Sequence, residues 1–73
     1  MSGLERKLTV AAVRGLEDPD HVEVLFLESA RIYLLKRRRP DFEELLGRLR
    51  TGERVRITVE PPDGEAIEDV SSL

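Results

Sequence analysis

At 73 residues the chain is long enough for one small domain, because chains of this size bury only about 60% of their unfolded surface and cannot divide it between two cores. Its 40% hydrophobic and 37% charged residues are typical of a compact, highly charged domain, and no apolar run reaches the roughly 20 residues that span a bilayer. Cysteine is absent, which excludes disulfides, thiolate catalysis and thiolate zinc sites.

The net charge of -3 hides an uneven distribution of charge along the chain. Residues 1–30 sum to -3, residues 31–50 to +4 and residues 51–73 to -4. Such asymmetry indicates a ligand, a partner surface, or charges that satisfy each other within the fold.

The remaining composition bears on source and location. Asn, Gln and Trp are absent and arginine outnumbers lysine ten to two. This pattern favours a thermophile, although a GC-rich genome produces the same bias. Without an apolar signal segment at the N-terminus, we predict a cytoplasmic protein.

The first predicted strand lies within residues 7–17. Leu8 and Val10 share one parity and Val13 has the other, with two alanines between them. A period of two that changes phase predicts a β-bulge at Ala11 and Ala12. The turn formers of residues 17–21 then end the strand.

Two further strands follow, and both are apolar on both faces. In the second strand, Val22, Val24 and Phe26 alternate with Leu25 and Leu27. In the third, Ile32 and Leu34 share one face and Tyr33 and Leu35 share the other. Residues 28–31 are predicted to form a tight hairpin connection, although they lack the usual Gly or Asn.

Residues 40–52 contain the predicted helix. Phe42, Leu45, Leu46 and Leu49 form one apolar stripe at helical spacing. Pro40 suits the first helical position and Gly52 a left-handed stop.

Two strands complete the chain. Residues 53–60 alternate cleanly, with Val55, Ile57 and Val59 inward. A Pro-Pro-Asp-Gly turn at residues 61–64 precedes a last short strand with Ile67 and Val70 as its apolar pair.

The element order strand, strand, strand, helix, strand, strand predicts a mainly β fold with one helix. This is the order of the OB-fold, a small five-stranded Greek-key barrel, while an SH3-like barrel or an open α+β sheet is the alternative. We predict a flexible N-terminal tail over residues 1–7, a single barrel domain over residues 8–70 and a C-terminal tail over residues 71–73.

The second apolar set predicts self-association. Leu25, Leu27, Tyr33 and Leu35 lie beyond the set that a barrel core needs, so we predict a homodimer or larger homo-oligomer with Leu25, Leu27 and Leu35 as its candidate contacts. The alternative is that barrel curvature and the helix already cover these side chains.

No motif predicts catalysis, a metal site, a cofactor or a small-molecule substrate. The single histidine, His21, lies in an acidic turn beside Asp18 and Asp20, without the glycine or length of a calcium loop. Adjacent Glu43 and Glu44 suit the start of a helix. We therefore predict a non-enzymatic protein.

The basic run Lys36, Arg37, Arg38 and Arg39 is the candidate binding segment. Together with Tyr33, a possible stacking platform, it predicts single-stranded nucleic-acid binding on the face of strands two and three. Against this, the loops that flank that face, residues 17–21 and 60–65, are acidic and would repel a polyanion. The sequence therefore favours a self-associating or protein-interaction module, with nucleic-acid binding as the alternative.

Overall fold

A computed structural model describes residues 4–60 and 64–73. It contains five strands and one short helix, in the predicted order. The elements are β1 (Leu4–Arg14), β2 (His21–Phe26), β3 (Ser29–Lys36), α1 (Phe42–Arg48), β4 (Arg54–Val59) and β5 (Ile67–Ser72).

The strands form one unclosed antiparallel sheet in the order β3-β2-β1-β4-β5. β1 is central because its first half pairs with β4, from Leu4 to Thr9, and its second half pairs with β2, from Val10 to Arg14. The predicted mainly β class with one helix is confirmed at this level. In the described residues, an isolated parallel bridge joins Leu34 of β3 to Ala66, the residue before β5.

The predicted bulge in β1 is confirmed. Val10 pairs with Phe26 and Ala12 with Leu25, so the register shifts at Ala11. The shift turns Val13 inward, where it packs against the core. The bulge thus marks the point where β1 passes from one partner strand to the other.

The core is aliphatic with buried aromatic rings. Val22, Val24 and Phe26 of β2 and Val55, Ile57 and Val59 of β4 face it as predicted. The helix contributes Phe42 and Leu45 and packs towards β3 and β5, and Leu49, the residue after the helix, is also buried. No charged or polar side chain in the described part of the chain is buried.

Of the second apolar set, Tyr33 and Leu35 of β3 are covered, as in the alternative interpretation. Tyr33 is 1% exposed and Leu35 is fully buried, whereas Ile32 is 39% exposed and Leu34 is half-buried. The tight connection consists of Leu27 and Glu28, with Phe26 paired to Ser29, and a register shift follows Val24. Because side chains alternate with a period of two, this placement of the turn and bulge decides which face of β3 is buried.

The element bounds also differ from those predicted. β1 begins at Leu4, so residues 4–7 are paired strand and not tail, and β5 extends to Ser72. α1 begins at Phe42 and ends at Arg48, which leaves Pro40 before the helix. Gly52 has the predicted positive φ, 89°, but it lies in the turn before β4. Residues 61–63 of the predicted Pro-Pro-Asp-Gly turn lie outside the described residues.

Candidate functional site: the outer face of β1, β2 and β3

The basic run lies at the end of β3 and in the segment that leads to α1. Its four side chains have two different environments. Arg37 and Arg39 are half-buried and donate hydrogen bonds to backbone carbonyls, whereas Lys36 and Arg38 are exposed. The run is therefore not a continuous cationic strip.

Arg37 holds the turn between β1 and β2. Its guanidinium donates to the backbone carbonyls of Leu16 and Asp18, and its backbone N–H donates to the carbonyl of Asp20 at 3.0 Å. The guanidinium also lies 5.1 Å from the ring centre of Phe42, which is cation–π distance. Arg37 thus joins the acidic turn to the start of the helix.

Arg39 holds the start of the helix against β5. Its guanidinium makes a two-point ion pair with Asp41, at 2.8 and 3.1 Å. It also donates to the carbonyls of Ile67 at 3.3 Å and Glu68 at 2.6 Å. The ion pair raises the pKa of Arg39 and lowers the pKa of Asp41.

Lys36 and Arg38 line a shallow depression with Pro19, Asp20 and His21. Lys36 lies directly across from His21 in the pairing of β2 with β3. Neither of these cations makes a hydrogen bond or an ion pair with another described residue. The depression therefore gathers the two side chains of the basic run that remain available to a ligand.

Asp18 organises the wall of this depression. Its carboxylate accepts the backbone N–H of Asp20 at 2.8 Å and that of His21 at 3.4 Å. The bond from Asp20 is the main cause of the lowered pKa of Asp18. The acidic turn is thus ordered by its own backbone and by Arg37.

Aromatic side chains do not reach this surface. The ring of Tyr33 lies inside the sheet and meets Phe26 edge to face, with ring centres 5.4 Å apart. Phe42 is buried beneath Arg37. The predicted stacking platform at Tyr33 is therefore within the core and offers no face to a base.

The outer face of the β1, β2 and β3 half of the sheet carries four aliphatic side chains, together with the Arg14–Glu23 ion pair, in which Glu23 lies directly opposite Leu34. Leu25 and Leu34 are half-buried, Ile32 is 39% exposed, and Leu27 in the hairpin turn is 71% exposed. We call these four residues the aliphatic face. Of the three predicted self-association residues, the structure places Leu25 and Leu27 on this face and Leu35 in the core.

The two ends of the aliphatic face carry opposite charge. Lys36 and Arg38 lie at one end, and Glu28 lies in the hairpin turn at the other. Both Glu28 oxygens accept bonds from Thr9, one from its backbone N–H and one from its hydroxyl, each at 2.7 Å. These bonds lower the pKa of Glu28 and keep it negatively charged.

Sequence reasoning missed Ile32 and Leu34 as surface residues because β3 is apolar at both parities. Either face satisfies a pattern of that kind, so alternation contains no signal for the choice.

In the described residues, no helix is long and apolar enough to cross a membrane. Comparison with protein-family models, with curated proteins and with solved structures found no match.

Proposed function

We propose that this protein is a non-catalytic self-associating module and that two copies meet through the aliphatic face. The observation that supports this proposal is the cluster of Leu25, Leu27, Ile32 and Leu34 on one outer surface of the sheet. Apolar side chains gathered on an exposed surface mark contact sites on small domains.

The fold supports the choice of this surface. We propose that the sheet curls into a small OB-like barrel, and the parallel bridge from Leu34 to Ala66 supports closure between β3 and β5. In OB-folds the face of strands two and three receives the ligand. Here that face carries four aliphatic side chains beside the Arg14–Glu23 ion pair, and the aromatic rings are buried, so it suits a protein surface better than stacked bases.

Charge supports a second copy as the occupant. A two-fold contact places residue i of one copy against residue j of the other and the reverse. When the two faces stack with their β3 strands antiparallel, Lys36 and Arg38 of one copy approach Glu28 of the other. The same surface then supplies both the apolar centre and the complementary charges, which fix the orientation.

Sedimentation velocity of the wild-type chain from about 10 µM to 1 mM tests the proposal, a range chosen because interfaces of a few residues are weak. We expect the mass to rise with concentration, and Ile32→Glu to associate much more weakly than wild type while keeping its fold by circular dichroism. Leu73→Glu is the matched control, because Leu73 is 55% exposed but follows β5. A monomeric wild-type chain, or an Ile32→Glu variant that associates like wild type, would contradict the proposal.

A second candidate function is supported by the depression of His21, Lys36 and Arg38. Two cations and an imidazole that converge on one open site suit the phosphates of a single-stranded nucleic acid. Asp20 lines the same depression and opposes that binding.

Filter binding of single-stranded RNA and DNA at two salt concentrations tests the second candidate. If it holds, Lys36→Glu with Arg38→Glu abolishes a salt-sensitive affinity, whereas Arg50→Glu, a change at an exposed arginine beyond the helix, leaves most of it. No retention of either nucleic acid at low salt would remove this candidate. Arg37 and Arg39 are unsuitable for this test because they hold the fold together.

A further inference from the structure

The first half of β1 is an open strand edge. From Leu4 to Thr9 this strand pairs with β4 on one side, and pairing with β2 starts only at Val10. No other described strand lies along the second side of residues 4–8. Open edges of this kind template the addition of another strand.

Hydrogen-bond parity shows which backbone groups lie on that edge. The carbonyl of Val10 accepts a bond from the N–H of Gly52, and the N–H of Val10 donates to the carbonyl of Glu53. The backbone groups of Val10 therefore point towards β4. The carbonyl of Thr9 accepts a bond from the N–H of Leu27, and the N–H of Thr9 donates to the carboxylate of Glu28. The backbone groups of Thr9 therefore point towards the β2 side. Alternation then places the N–H and carbonyl groups of Lys7 and Glu5 on the open edge.

At Thr9 the backbone groups on this edge already have hydrogen-bond partners, and the available part of the edge lies before Thr9. The carboxylate of Glu28 and the N–H of Leu27 occupy both backbone groups of Thr9. Glu5, Arg6 and Lys7 are three consecutive exposed residues. A strand that is added here therefore has a defined end and a length of about three residues.

We infer that this edge pairs with the same edge of a second copy, in antiparallel register centred on Arg6. In that register Glu5 of each copy lies opposite Lys7 of the other, in a hydrogen-bonded pair. Two backbone pairs form and two pairs of opposite charge face each other, which is favourable, while Arg6 lies opposite Arg6 of the second copy on the axis. A register centred on Lys7 would instead oppose two lysines and require the blocked Thr9.

The intrachain neighbours of Lys7 strengthen the inference. Within the chain Lys7 lies opposite Arg56, so it has a like charge on the β4 side. The Nε of Arg56 is buried without a hydrogen-bond acceptor, and its nearest carboxylate oxygen, that of Glu5, is 3.8 Å away. A carboxylate from a second copy beside Lys7 relieves this excess of positive charge.

This contact is separate from the aliphatic face and does not depend on it. It joins strand edges, so that β4, β1 and the second copy's β1 and β4 become one continuous sheet. The contact is short, and we expect it to be weak and to form at high concentration.

A charge-swap series tests the inference directly. Lys7→Glu places four carboxylates along the edge and should raise the dimer Kd about tenfold or more. In the same chain it gives Arg56 a carboxylate partner, so the fold is retained. The double variant Glu5→Lys with Lys7→Glu restores opposite charges across the axis and should restore dimerisation to near the wild-type Kd.

The measurement is sedimentation equilibrium of each full chain in the Ile32→Glu background, where the aliphatic face is disabled. Amide hydrogen exchange at low and high concentration adds a local readout. We expect the amides of Glu5 and Lys7 to become more protected as concentration rises, while that of Arg6, which bonds to β4, does not change.

Failure of the double variant to recover dimerisation, or Glu5 and Lys7 amides that exchange at a rate independent of concentration, would overturn the inference. Either result leaves the aliphatic face untouched, because that surface is tested by Ile32→Glu in the wild-type background. Arg6→Thr provides a further check, since it removes the like charge on the axis and should strengthen the dimer.

Discussion

Arg38 and Arg39 are adjacent arginines with opposite roles. Arg39 reaches one carboxylate and two carbonyls, whereas Arg38 makes no hydrogen bond within the described residues. The sequence alone presents them as equivalent members of a basic run. Their difference arises because successive residues leave β3 in different directions, and only Arg39 faces β5.

Arg39→Ala should lower the free energy of unfolding by about 1–2 kcal/mol, because it removes several charge-assisted hydrogen bonds at a partly exposed site. Arg38→Ala is the matched control and should change it by less than about 0.5 kcal/mol. Urea denaturation at pH 7 measures both. Equal effects of the two substitutions would contradict the role of Arg39.

Glu28 gives the fold a dependence on pH. Its bonds from Thr9 lower its pKa in the folded state, below the ordinary value of about 4.3. Its contribution is therefore fully present above about pH 4.3 and is lost as pH falls through the lowered pKa.

The expected result is that Glu28→Gln is less stable than wild type at pH 7 and that the difference shrinks below pH 4. Urea denaturation from pH 7 to pH 2.5 measures the two curves. Asp18 and Asp41 also have lowered pKa values and remain in both chains, so they cancel in the comparison. A difference that stays constant with pH would show that the bonds do not depend on the charge of Glu28.

At the scale of the elements, strong patterns were predictive and weak ones were not. The alternation of β4 and the phase change at Ala11 predicted the correct faces, because each has one apolar parity. The β2–β3 hairpin was predicted less well. No described non-glycine residue has a positive φ, so the turn at Leu27 and Glu28 is not of the primed type that Gly or Asn signals.

The helix and the following turn contain two glycines with different constraints. A Cβ at Gly47 would meet nothing within 4 Å, so no close contact requires glycine at this position. We expect Gly47→Ala to raise the free energy of unfolding by about 0.5–1 kcal/mol through helix propensity.

Gly52→Ala should instead lower the free energy of unfolding by about 1–2 kcal/mol, because its φ of 89° is unfavourable for a residue with a Cβ. The turn from Arg50 to Glu53 needs this conformation at its third position. Thermal and urea denaturation of the Gly47→Ala and Gly52→Ala variants measure the two changes in the free energy of unfolding. Stabilisation by both substitutions would contradict the backbone assigned to the turn.

At the scale of the whole molecule, the ion pairs of Arg39 and Arg48 both lie within the basic segment of residues 31–50, so they do not balance its charge against the acidic ends. Arg37 holds the acidic turn, Arg39 pairs with Asp41, and Arg48 pairs with Glu44 at 2.6 Å while donating to the carbonyl of Val70. These contacts also cover β5 carbonyls. The segment charges alone were compatible with a ligand, a partner surface or charges that satisfy each other within the fold. Which group each arginine contacts depends on its neighbours in the folded chain.

The two proposed contacts use different parts of the sheet. The aliphatic face lies on the half formed by β1, β2 and β3, and the open edge belongs to the half formed by β1, β4 and β5. Each contact has its own variants, so each can be tested while the other is retained.

The most direct test is an isotope-filtered NOE experiment on a mixture of labelled and unlabelled chains near 1 mM, a concentration suited to a weak interface. The account predicts intermolecular NOEs between the methyl groups of Leu25, Leu27, Ile32 and Leu34, which disappear in Ile32→Glu. A mixture that shows no intermolecular NOE to these methyl groups would contradict the proposal that the aliphatic face joins two copies.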